Sequence, residues 1–206
     1  MSWKSVSGMA IAAATLVLLG AVNTARADAY YTPAEIKRIA HELANEVGIP
    51  ADKQGDLWAR LGAAIDDPAF FASRPRCNGV IVYQRGGGGF IVKVQKGHAI
   101  GRFHGKAQKA AVNLKQVSYG AQIGGGTEYG VALVLGLGDL AHFGGEYTGG
   151  TRGGTMGKAS MSITELTKKG SVGTPMFHKL YLIGTGAGAS ADAGGASVTV
   201  QLLNWF

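Results

Sequence analysis

Glycine most constrains what this chain can fold into. It fills 34 of 206 positions, against a usual ~7 %, without a three-residue period, and it falls between short apolar runs. The stretch Val117–Gly145, VSYGAQIGGGTEYGVALVLGLGDLAHFGG, shows this most densely. Gly124-Gly125-Gly126 reads there as a turn dividing two apolar segments. Gly130-Val131-Ala132-Leu133-Val134-Leu135 is a continuous apolar run too short for a helix. Bounded by glycine, it predicts a buried core strand. With 46 % hydrophobic residues, the chain is not of the disordered class.

Residues 1–27 have the pattern of a secretory signal peptide. Lys4 precedes the apolar stretch Met9–Val22, which is short for a bilayer span. Small residues then flank two cleavage positions, near Ala27 and Ala29. The expectation is an exported, periplasmic protein, soluble or membrane-associated. Cys77 is the single cysteine, so an exported chain of this kind carries no internal disulfide. Beside Val80-Ile81-Val82 it reads as a small buried thiol.

Residues 28–71 are helical in pattern. Thr32, Pro33 and Glu35 form a capping box with proline at the first helical position. Ile36, Ile39, Ala40, Leu43 and Val47 then line one face. Gly48-Ile49-Pro50 ends this helix, and a second spans about Lys53–Asp66. Asp66-Asp67-Pro68 closes it, and Phe70-Phe71 opens an apolar connector. From residue 72 to 206 the period becomes two. Asn78–Gln84 and Phe90–Gln95 flank Gly86-Gly87-Gly88-Gly89, which reads as a hairpin with a flexible tip. Further strands are predicted near 99–104, 111–119, 129–137, 155–164, 179–184 and 197–206. Residues 149–154 and 187–196 read as small-residue loops or Gly/Ala-rich strands. The fold class is α+β: N-terminal helices packed on a Gly-rich, largely antiparallel twisted sheet or small soluble barrel, as one compact unit.

No catalytic, metal or cofactor constellation emerges. The histidines lack metal-ligand spacing, and no G-x-S-x-G elbow is present. Gly101–Lys106 lacks the spacing of a phosphate-binding loop, and Gly184-Thr185-Gly186 leaves too few residues for a dinucleotide-binding unit. Export argues against a nucleic-acid partner despite a pI near 9.6.

The charge pattern is more informative. Between Asp67 and Glu128 there is no acidic residue, while Arg74, Arg76, Arg85, Lys93, Lys96, Arg102, Lys106, Lys109 and Lys115 fall within that interval. One reading is an outward sheet face for an anionic phospholipid or an envelope polyanion. Its contact set is Arg85, Lys93, Lys96, Arg102, Lys106, Lys109 and Lys115, with Phe90 and Phe103 as apolar wedges. The other reading is a solubilising face whose edge lysines prevent strand pairing. The alternating Val198, Val200, Leu202 and terminal Phe206 raise a further alternative, a small outer-membrane β-barrel.

Three stretches carry a family resemblance. Asp67–Phe71 followed by Cys77-Asn78-Gly79-Val80-Ile81-Val82-Tyr83, then Gly89-Phe90-Ile91-Val92 with Lys96-Gly97-His98-Ala99, and finally Ser118-Tyr119-Gly120-Ala121-Gln122-Ile123-Gly124 leading into Val131–Leu135, together resemble the SYLF-domain family of lipid-binding proteins. The opening Tyr31–Ile36 and the closing Asn204-Trp205-Phe206 are similar to a related group of bacterial periplasmic envelope-integrity proteins of unknown-function domains. The resemblance implies N-terminal helices on a Gly-rich antiparallel β structure and supplies no catalytic residues. The expected function is non-enzymatic binding of an anionic lipid or other envelope component in support of envelope integrity. A structural or protein-interaction module with an envelope protein partner is the alternative.

Overall fold

The computed structural model describes residues 30–156, 159–168, 178–186 and 193–206, with side chains described except at 88–93, 119–125, 151–162, 186 and 193–194. Residues 1–27, read as a signal peptide, and the Gly/Ala-rich residues 187–192 lie outside the described residues.

Helix α1 (Pro33–Val47) starts as its residues dictate. The Thr32 hydroxyl accepts from the Glu35 N–H at 3.3 Å, and the Glu35 carboxylate accepts from the Thr32 N–H at 2.8 Å. Gly48, at φ 80°, closes it in the left-handed conformation that glycine adopts without steric cost. Helix α2 (Ala51–Ile65) follows. The expected connector at Phe70-Phe71 is instead a short helix, α3 (Pro68–Ala72). Asp67 caps it by accepting from the Ala69 N–H at 2.9 Å, and Pro68 needs no donor in the first turn.

Six strands follow: β1 (Cys77–Phe103), β2 (Lys109–Leu135), β3 (Gly145–Met156), β4 (Ala159–Lys168), β5 (Lys179–Gly186) and β6 (Ala193–Trp205), with a 3-10 turn at Leu140–His142. All described pairings are antiparallel, in the order β1-β2-β5-β4-β3-β6. The C-terminal half of β2 pairs with β5 and its N-terminal half with β6, so the sheet closes on β2 as a small barrel.

The two glycine clusters read as turns are not turns. Both lie in the middle of long strands, directly opposite one another: Gly87 with Gly126, Gly88 with Gly125, and Gly89 with Gly124. The chain actually reverses at His104–Gln108, where Gly105 has φ 76°. Paired glycines let the β1–β2 ribbon bend sharply without side-chain collisions. The bend folds the ribbon across itself, so that a β-carbon at Gly97 would collide with the Gln84 carbonyl and the Arg85 backbone.

Two apolar cores result. The outer one sandwiches the α1 and α2 stripes, including Ile36, Leu43, Leu57 and Leu61, against Val80, Val82, Val131, Leu133, Leu135 and Ile183. The inner one fills the barrel with Ile81, Phe103, Val112, Val134, Phe143, Tyr147, Leu182, Val198 and others. Strands β1, β2 and β5 are therefore buried on both faces beneath the helices, which is why Val131–Leu135 is continuously apolar. On β6, the described residues Val198 and Val200 point inward while Thr199 and Gln201 are exposed. A lipid-spanning barrel needs the reverse alternation.

Cys77 is fully buried, and burial pushes its thiol pKa up to about 12. A thiol so placed has almost no thiolate at pH 8. The native protein is expected to resist a thiol-specific reagent at that pH and to react stoichiometrically in denaturant. Rapid native labelling would show that the N-terminal end of β1 opens.

Candidate functional site

The bend decides where the basic residues go. Along the inner face of the ribbon, Arg85 lies directly across from Glu128, and Gln95 directly across from Gln116. Folding the ribbon on itself stacks these two cross-strand pairs. Arg85 Nη2 meets Glu128 Oε1 at 2.5 Å, and Arg85 Nη1 donates to Gln116 Oε1. Gln95 Nε2 donates to Glu128 Oε2 at 3.4 Å, and the Tyr83 hydroxyl donates to Glu128 Oε1 at 3.0 Å. Gln116 Nε2 in turn donates to Ser118 Oγ at 2.7 Å. Arg85 is 1 % exposed. Burial, foremost, drives the Tyr83 pKa well above its ordinary value, so the hydroxyl remains a donor. Arg85 is therefore withdrawn from the expected contact set. A guanidinium inside a barrel requires its carboxylate and amide partners, and here it holds the glycine-rich end of the ribbon together.

Phe103 is likewise withdrawn. It is 1 % exposed and packs edge-on against Phe143, with ring centroids 4.9 Å apart, so it belongs to the inner core and not to an external wedge. The side chains of Lys93 and Phe90 lie outside the described residues.

The remaining basic residues separate into two groups. Arg102 and Lys109 oppose each other across β1 and β2, and like charges so placed repel. Helix α1 relieves the repulsion: Glu42 takes Arg102 at 3.0 Å and Glu46 takes Lys109 at 2.7 Å. Glu42 and Glu46, one helical turn apart, thus clamp α1 to the ribbon. Sequence reasoning missed this clamp, although an i, i+4 carboxylate pair on the polar face of an amphipathic helix was its signal.

Lys96 and Lys115 form a second cross-strand pair on the same outward face, six residues along the ribbon from the first. Both are exposed, and neither makes an ion pair among the described residues. Val94, 38 % exposed, lies beside Lys96, with exposed His98 and Asn113 on the other side. Thr199 of β6 pairs with Lys115 and extends the polar surface. Lys106 is exposed in the β1–β2 turn, at the far end of the ribbon. Among the described residues, the predicted single basic face is thus reduced to one opposed lysine pair with an apolar neighbour, with Lys106 standing apart from it. That arrangement suits an anionic surface or headgroup approaching from outside.

No protein-family model matches the chain, nor does any curated protein compared with it. Among solved structures, it is similar to an uncharacterised β-barrel-like protein from Brucella abortus, at 17 % identity and a TM-score of 0.48, over 84 % of this chain and 95 % of that one. Among the described residues no three His, Cys, Asp or Glu side chains group as metal ligands, and no helix is long and apolar enough to cross a membrane.

Proposed function

We propose that this is an exported, non-enzymatic binding protein of the periplasm that engages an anionic lipid or another anionic envelope component through the Lys96–Lys115 face. The observation that carries the reading is the cross-strand lysine pair that no carboxylate among the described residues relieves. Six residues along the same ribbon, Arg102 and Lys109 repel in the same way and are neutralised by two carboxylates. At Lys96 and Lys115 no described carboxylate does so, and an external anion would supply the missing charge. Val94 beside the pair suits the headgroup boundary, where apolar and cationic groups act together. The resemblance of the Gly-rich strands to SYLF domains, and of the chain ends to periplasmic envelope-integrity proteins, supports the same reading.

Sedimentation with vesicles of phosphatidylglycerol or of phosphatidylcholine, at low and high salt, tests it. The protein is expected to pellet with the anionic vesicles at low salt and to be released as salt screens the contact. Lys96→Glu with Lys115→Glu is expected to weaken that retention by about tenfold or more, since each basic residue near an anionic surface contributes measurably. Retention equal to wild type would refute the assignment. Salt-insensitive capture of one envelope protein without lipid would favour the interaction-module alternative.

A further inference from the structure

A second region of the molecule, separate from the lysine face, has the features of a ligand cleft. Between α2, α3 and the outer face of β4 and β5 lies a cleft of about 680 Å3, within the range of pockets that enclose small organic ligands. It exists because, Arg60 apart, α2 presents short side chains here, with Ala59 and Ala63 one turn apart, and so leaves the space above the sheet unfilled. Phe70, Tyr181 and Ile183 form its apolar floor.

Two guanidiniums border this apolar space. Arg60 Nη1 is buried with no hydrogen-bond partner among the described residues. Arg74 lies over the Phe70 ring at 4.6 Å and donates to Glu165 at 3.1 Å, to the Phe70 carbonyl at 3.3 Å and to Ser73 Oγ at 3.3 Å. Its Nε is buried with no hydrogen-bond partner among the described residues. Charged donors left this way inside an apolar cleft are costly, and an anion relieves the cost. The charge of the lining limits which anion. Among the described lining residues, Arg60 and Arg74 oppose a single carboxylate, Asp67, and Glu165 is already shared between Arg74 and Lys179. One positive charge is in excess, which matches a monoanion better than a phosphate carrying nearly two negative charges.

We propose that the cleft binds a single-chain aliphatic carboxylate, with its headgroup on Arg60 and its chain along Phe70, Tyr181 and Ile183. The assignment does not depend on the lysine face. Titration with dansylaminoundecanoate, a fluorescent single-chain carboxylate, tests it, with displacement by decanoate or by the neutral alcohol of equal length. The expected result is saturable binding at one site, displaced by decanoate at least about tenfold more effectively than by the alcohol. Arg60→Gln should weaken binding about tenfold or more. Ala63→Trp, which fills the cleft from an exposed helix position, should abolish it, while Lys96→Glu with Lys115→Glu should leave it unchanged. Circular dichroism identifies any variant that fails to fold, and Arg60→Gln alone then decides. The proposal is overturned if the wild-type protein shows no saturable binding, or if Arg60→Gln binds as wild type does.

Discussion

Replacing Glu128 with alanine is expected to destabilise the protein by about 3–5 kcal/mol, the cost of leaving a buried charge without its partner. Glu128 sits at the centre of the interior polar cluster, meeting Arg85, Tyr83 and Gln95. Truncation removes the carboxylate that the Arg85 guanidinium meets inside the barrel. The urea midpoint should fall on the order of 1–3 M, given the denaturant sensitivity of domains of this general size. A double variant, Arg85→Met with Glu128→Leu, should recover most of the loss, because apolar side chains of similar volume substitute well for a buried ion pair. If Glu128→Ala costs less than about 1 kcal/mol, the pair behaves as a surface salt bridge, and the barrel is open to water at its glycine-rich end.

Gly97→Ala is expected to cost about 3 kcal/mol or more, at the upper end of overpacking effects. The added methyl would collide with the Gln84 carbonyl and the Arg85 Cα, where the two halves of the bent ribbon cross. Backbone on both sides cannot move aside as a flexible side chain does. Thermal unfolding should therefore fall by about 6 °C or more, at roughly 2–4 °C per kcal/mol for a chain of this size. Gly195→Ala is the matched control: it lies in β6 with nothing within 4 Å of the added carbon, and it should shift the midpoint by less than about 2 °C. Equal effects at the two positions would show that the ribbon does not cross itself closely at Gly97.

Both predictions depend on the same bend. Without it, Arg85–Glu128 and Gln95–Gln116 would be two separate cross-strand pairs on an open ribbon, and Gly97 would be an ordinary strand residue. With it, the four side chains interlock and the carbonyl of Gln84 lies against Gly97. The bend also aims the outer face of the ribbon. One end of that face lies under α1, where Glu42 and Glu46 hold Arg102 and Lys109, and the other presents Lys96 and Lys115 to solvent.

Much of the architecture was legible in the amino-acid sequence. The capping box at Thr32–Glu35, the apolar stripe of α1, the stop at Gly48, the buried thiol of Cys77 and the core strand at Val131–Leu135 are all local signals. A capping hydroxyl, a helical period and an uninterrupted apolar run each act within a few residues. The α+β class, with helices on a small antiparallel barrel, followed from them. The tertiary structure decided what glycine and charge could not. Glycine permits a tight turn and a mid-strand bend equally well, so Gly87–Gly89 and Gly124–Gly126 acquire their role only when paired with each other. A basic residue is a surface residue unless a carboxylate meets it inside, and the carboxylate for Arg85 comes from Glu128, on the partner strand far along the chain. That separation turned a run of basic residues into a buried network, a helix clamp and one exposed lysine pair.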